Sequence, residues 1–272
     1  MSFETDEERG EKQRAHREGA QCRAQSVARR NIMPRPGGEA PRSPRWQEDG
    51  LSVSFRSCQL VSLAPIAGTL TSQGRDPAEV NHLDLGENEL TSLEKLGTFD
   101  RLLSLDVSHN SIDALPAPAL PPTLLHLNVA YNRLEGAGGV GSLSRLIELN
   151  LSYNLLTSCQ AFEPMTQLQV LLLGGNRIAS LIGLEPLTRL EVLDLRFNYV
   201  EKPAELRLLG VNATLRALTL QGNPVAKHPS YRAMVGSTLP ALLSLDSSKM
   251  PRSSAQRQGS GTSNPATLGA QT

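Results

Sequence analysis

A curved α/β-type solenoid, with a parallel β-sheet on its concave face and 3₁₀ or extended returns on its convex face, is predicted by three features of this 272-residue sequence. Asparagines stand at a fixed interval, the residues before them alternate, and the residues after them recur in threes. Asn88, Asn110, Asn132, Asn154, Asn176 and Asn198 are each 22 residues apart, and Asn223 follows after 25. Such a period marks stacked units, each of which needs a neighbour to bury its apolar face.

Each unit reads L-x-x-L-x-L-x-x-N-x-L. Leu146, Leu149, Leu151, Asn154 and Leu156 form one copy, and Leu168, Leu171, Leu173, Asn176 and Ile178 form the next. Alternation at the middle positions is the period of a strand with one face inward. Beyond the asparagine the spacing changes: Leu90, Leu93, Leu96, Phe99 and Leu102 are three apart, as are Ile178, Leu181, Leu184, Leu187 and Leu190. A stripe of period three suits a 3₁₀ or extended return, since an α-helical stripe would drift at 3.6. Cys159, Phe162 and Met165 occupy the same slots, so Cys159 is expected in the core.

The asparagines have a structural explanation. A chain leaving a short parallel strand in a tight turn exposes backbone groups without ladder partners, and burying these unpaired costs about 1–3 kcal/mol each. Asparagine carries donor and acceptor on one short side chain. Stacked copies are therefore expected to bond to the turns of neighbouring units.

Composition divides the chain into three. Residues 1–49 mix Arg, Glu, Gln and Ala and then read "MPRPGGEAPRSPRW", with too few large apolar residues to offset the entropy of ordering. A disordered arm is expected there, with a short exposed helix between Thr5 and Arg30, and a disordered Gly/Ser-rich tail over 248–272. The repeat domain spans 50–247, with about eight repeats and a cap at about 224–247. A weak first unit places Cys58 where asparagine belongs, and the 30-residue step to Asn88 implies a polar insertion around "TSQGRDP" and a looser first junction.

Net charge is zero, aromatics are few, and no run approaches the roughly 18 apolar residues of a membrane span. The first thirty residues lack the apolar stretch of a signal peptide. Cys22, Cys58 and Cys159 are too few and scattered for a disulfide framework or four-thiolate zinc site, and are expected to be reduced. No membrane partner, cofactor, metal or small-molecule substrate is expected. The localisation expected is cytoplasmic, with cytoskeleton, centrosome, cilium or nucleus as finer alternatives. The chain by itself is expected to be monomeric.

These units resemble leucine-rich repeats. The 22-residue period over about residues 80–246 resembles the short intracellular class of the phosphatase-one regulatory leucine-rich protein, the axonemal dynein leucine-rich light chain and the spliceosomal A-prime protein. The end, "NPVAKHPSYRAMVGSTLPALLSLD", resembles the cap of such domains. That resemblance implies a short helix presenting Tyr231, Met234 and Val235 to the last core layer.

With the leucines committed to packing, function falls to residues pointing away from the core. One outward column is Asp84, Asp106, Asn128, Asn150, Leu172, Asp194 and Thr219; another is His82, Ser104, His126, Glu148, Val170, Val192 and Ala217. Immediately before each asparagine stand Glu87, His109, Tyr131, Tyr153, Gly175, Phe197 and Gly222. The expected protein-binding surface comprises Tyr131, Glu148, Tyr153, Val170, Leu172, Val192, Asp194, Arg196, Phe197 and Arg216, because outward apolar, aromatic and Arg residues characterise interfaces. A secondary surface in the early repeats comprises His82, Asp84, Glu87, Asp106, His109 and His126. The alternative for Tyr131, Tyr153 and Phe197 is that they pad the strand ends.

Ser104, Asp106, His82 and His126 together suggest a Ser-His-Asp relay. Diagonal neighbours on adjacent strands are about 7–8 Å apart, and neither an oxyanion turn nor a phosphate loop accompanies them. Neither a catalytic residue nor a zinc site is assigned. The triplets at Asn150 and Asn212 are read as chance matches to a glycosylation signal. No continuous basic stripe with interleaved aromatics suggests direct nucleic-acid contact. The expected function is a non-enzymatic scaffold or adaptor binding a protein on its concave face. The resemblance implies cytoskeletal, ciliary or centrosomal assembly first, then a phosphatase regulatory subunit, then a ribonucleoprotein subunit; a hydrolase comes last.

Overall fold

In the computed structural model, which describes residues 51–115 and 120–250, each repeat adds one short strand to a single ten-stranded sheet. The arm at 1–49 and the tail beyond 250 lie outside the described residues. The strands are Leu51–Ser54 (β1), Val80–Asp84 (β2), Ser104–Asp106 (β3), His126–Asn128 (β4) and Glu148–Asn150 (β5), then Val170–Leu172 (β6), Val192–Asp194 (β7), Ala217–Thr219 (β8), Ser244–Leu245 (β9) and Ser248–Lys249 (β10). They lie in chain order, parallel except for the antiparallel β9–β10 pair. This is a leucine-rich-repeat solenoid.

Pairing keeps equivalent residues opposite each other: Leu105, Leu127, Leu149, Leu171 and Leu193 form one inward row. That row belongs to one apolar core running from Val53 to Met250. Period-three stripes produce 3₁₀ turns at Leu96–Thr98, Gly138–Ser142, Gln160–Phe162 and Pro203–Val211. The returns pack backbone to backbone. At Gly183, where φ is +102°, a Cβ would stand 2.6 Å from the Cys159 carbonyl oxygen.

The first return departs from expectation. It contains an α-helix, Ala64–Ser72 (α1), rather than a 3₁₀ or extended segment. The longer first step leaves room for two helical turns, Pro65 stands in the first turn, and Ile66 and Leu70, four apart, face the core. The boundary expected at 247 also moves, because Ser248–Lys249 pairs with β9 and Met250 is buried. Cys159 is a free, buried thiol, and burial pushes its pKa up to about 12. Cys58 is half-buried against the core, and Cys22 lies outside the described residues.

Each asparagine joins two repeats. The Asn154 side chain accepts from the Leu134 N–H at 3.0 Å and donates to the carbonyls of Val129 and Leu151, both at 3.0 Å. Asn176 and Asn198 repeat the pattern one and two units on. Asn223 does so after the longer step. At the end, Tyr231–Thr238 (α2) buries Tyr231 and Val235, while Met234 is half-buried. Asp246 accepts from the N–H groups of Leu220 and Gln221, at 2.7 and 2.9 Å, and from the Tyr231 hydroxyl at 2.9 Å. Burial first, and then the Asp246 charge, push the Tyr231 pKa up.

Candidate functional site

Register brings the expected outward residues together. Val170 pairs with Val192 and Glu148 with Val170, while Leu172 stands between Asn150 and Asp194. Val170 and Val192 are half-buried. Leu172 is excluded from the main core yet only 7 % exposed. It therefore corrects the expectation of a solvent-facing anchor: adjacent strands stand about 4.8 Å apart, so the flanking side chains of Asn150 and Asp194 cover much of its surface. Neighbouring Arg196 is half-buried, with its Nε 2.7 Å from Asp194 Oδ2. Its stem lies over Gly174, where a Cβ would approach Arg196 Cγ at 2.9 Å. Exposed Arg216 donates to the Ala241 carbonyl at 3.0 Å.

The column expected to offer acidic contacts is used largely within the fold. Asp84, Asp106, Asn128, Asn150 and Asp194 each accept from the backbone N–H two residues later, closing the turn out of the strand. Leu172 is the apolar member that cannot. The early carboxylates are also partly neutralised, one guanidinium facing three of them. Arg56 Nη2 stands 2.8 Å from Glu87, and Nη1 stands 3.3 Å from Asp84 and 3.9 Å from Asp106. Hydrogen bonds from Ser57 and Arg56 lower the Glu87 pKa. Sequence reasoning missed Arg56, although it stands two places before Cys58 in the register that places Arg196 two before Asn198.

The Ser-His-Asp set does not align as a relay. Ser104 stands directly between His82 and His126. The Nδ1 of His126 nevertheless faces Glu148 Oε2 at 3.2 Å. Asp106 accepts from the Ser108 N–H and hydroxyl at 2.8 and 2.6 Å and from Asn128 Nδ2 at 3.0 Å. Among the described residues, no group of three His, Cys, Asp or Glu could hold a metal. No described helix is long and apolar enough to cross a membrane.

Burial raises the Asp106 pKa, and the Ser108 and Asn128 bonds offset it only in part. A carboxyl raised above its ordinary 3.8 binds a proton more readily folded than unfolded, so its charge opposes folding as pH rises through the raised value. Asparagine fills the same slot at 128 and 150. Asp106→Asn should therefore melt higher than the parent at neutral pH, and the gain should fade toward pH 3.8. Melting curves across pH 3–8 test this; a gain that grows on acidification would contradict it.

A continuous feature lines one edge of the concave face. Glu87, His109, Tyr131, Tyr153 and Phe197 all have φ between +54° and +57°, the left-handed region uncommon for residues with side chains. There the side chains project from the turn, and three consecutive rings meet. His109 stacks on Tyr131 at 4.2 Å between ring centroids, and Tyr131 on Tyr153 at 4.4 Å. The rings still project: Tyr131, Tyr153, Phe197 and neighbouring Tyr199 are 45, 42, 54 and 60 % exposed.

Comparison with protein-family models matches residues 122–178 to the leucine rich repeat. Among solved structures, an internalin (InlF) from Listeria monocytogenes superposes with a TM-score of 0.57 at 22 % identity, covering 71 % of this chain and 52 % of that one. Internalin C2 from the same organism superposes at 0.58 and 20 % identity, covering 71 % and 79 %. The chain thus spans about half the length of the first. These likenesses concern the fold. No curated protein matches the chain.

Proposed function

We propose that this chain is a non-enzymatic adaptor that binds a protein partner along its concave face and the aromatic edge of that face. The supporting observations are the row of large exposed side chains at Tyr131, Tyr153, Phe197 and Tyr199 and the half-buried Val170–Val192 pair. Clustered exposed aromatics are costly to leave hydrated, and such residues are enriched at interface centres. Leucine-rich-repeat proteins in general act as protein-interaction scaffolds. The expected setting is cytoplasmic, in cytoskeletal, ciliary or centrosomal assembly. Phosphatase regulation ranks second, and a ribonucleoprotein role third.

Val192→Arg tests the surface. Its neighbours are Val170 and Ala217, and a long cationic side chain can extend from this half-buried site. The stability loss should stay within about 1 kcal/mol while partner recovery from cells falls at least tenfold. Arg189→Glu, exposed on the convex return, should change neither. Axonemal or centrosomal proteins, a phosphatase catalytic subunit, or RNA-binding proteins in the captured set would each select one setting. Full recovery by a folded Val192→Arg protein would remove the concave face from consideration.

A further inference from the structure

The aromatic edge has a missing rung. Tyr131 stacks on Tyr153, and Tyr153 leans onward over Gly175, where a Cβ would stand 2.6 Å from its ring. Gly175 has φ +70°, the same left-handed turn as Tyr131 and Tyr153, but no ring to continue the stack. One repeat on, Phe197 leans in the same sense, its ring over Gly222. Two rings leaning the same way and separated by one empty rung stand two strand spacings apart, about 9–10 Å. A planar group midway would be about 4.5–5 Å from each, the spacing aromatic pairs favour.

The rim carries charge. Exposed Arg177, two residues beyond Gly175, makes no ion pair among the described residues. Arg196, held by Asp194, lies on the concave side. We infer that the slot between the Tyr153 and Phe197 rings receives one aromatic side chain of a protein partner, with an adjacent carboxylate of that partner meeting Arg177. This rests on the adaptor reading and gives its partner a chemistry: an aromatic residue next to Asp or Glu.

The chain's own Trp46 cannot serve. It stands five residues before Leu51, a span of about 18 Å at most, whereas the slot lies some five strand spacings, about 24 Å, from β1. Phe3, beside Glu4, has enough intervening chain to reach and is the alternative occupant to be tested.

The experiment titrates the full chain with N-acetyl-Asp-Trp-amide, N-acetyl-Lys-Trp-amide and adenosine, following probe proton shifts by NMR. The aspartyl peptide should show saturable upfield indole shifts, from sandwiching between rings, and bind at least threefold more tightly than the lysyl peptide. Gly175→Tyr should abolish those shifts, because it supplies the missing rung in a turn that Tyr131 and Tyr153 already adopt, with the Tyr153 ring moving to stack on it. Phe197→Ala removes one wall without touching Gly175 and should also abolish them. Indole shifts unchanged by either variant, or absent altogether, overturn the inference. Tighter adenosine binding would assign the slot to a nucleobase and overturn it as well. So would binding that emerges only after Phe3→Ala, since the slot would then be filled by the chain itself. Loss of partner capture in Val192→Arg but not in Gly175→Tyr would retain the adaptor and discard the slot.

Discussion

Replacing Asn154 with alanine should lower the melting temperature by about 6–12 °C. The side chain satisfies a Leu134 N–H and two carbonyls, those of Val129 and Leu151, in the middle of the array. All are lost at once, and methyl-sized alanine admits no ready substitute. Stranding buried backbone groups at about 1–3 kcal/mol each, with partial relaxation, gives a loss of about 3 kcal/mol. In a folded unit of this size, each kcal/mol shifts melting by about 2–4 °C. Aspartate should also be harmful, because it keeps the acceptor but loses the donor facing two carbonyls. Melting of the alanine protein within one degree of the parent would show that the ladder contributes no net stability.

Leu172→Glu should be comparably damaging, by about 2–4 kcal/mol. Leu172 is 7 % exposed between Asn150 and Asp194, so a glutamate there desolvates its charge beside a second carboxylate. Leu172→Asn should cost distinctly less, because Asn128 and Asn150 show that the slot accepts asparagine and lets it bond to the N–H two residues on. Denaturant melts of both proteins decide the matter. A glutamate variant as stable as the parent would mean that the site opens to water.

The same residue marks where sequence reading stops. Alternation placed Leu171 and Leu173 inward and Leu172 on the opposite face, and the pairing and core agree. Whether an outward side chain is wetted depends on the lateral closeness of neighbouring strands, which no single repeat encodes. The asparagine ladder was legible because it follows from backbone groups that every repeat must satisfy. The returns were legible wherever the spacing stayed at three, and failed at α1, where Leu63, Ile66 and Leu70 change to spacings of three and four. Arg56 was overlooked because the first unit lacks its asparagine, which obscures the register joining it to Asp84 and Glu87. The tyrosines were found by slot, but their stacking required the left-handed turn geometry.

The asparagine bonds also give the solenoid a direction. Asn154 reaches back to Val129 and Leu134, and Asn176 reaches back to Leu151 and Leu156, so each repeat has its turn completed by the one that follows. Removing repeats from the amino end exposes an asparagine side chain to water, which solvates it readily. Removal from the carboxyl end strips partners from backbone that remains folded against its neighbour, and Asp246 is the residue that finishes this sequence by closing on Leu220 and Gln221. During synthesis, the newest repeat on the ribosome is therefore always the incomplete one. The array behaves as a row of dovetails cut to accept the next board, with the joinery open until the cap emerges.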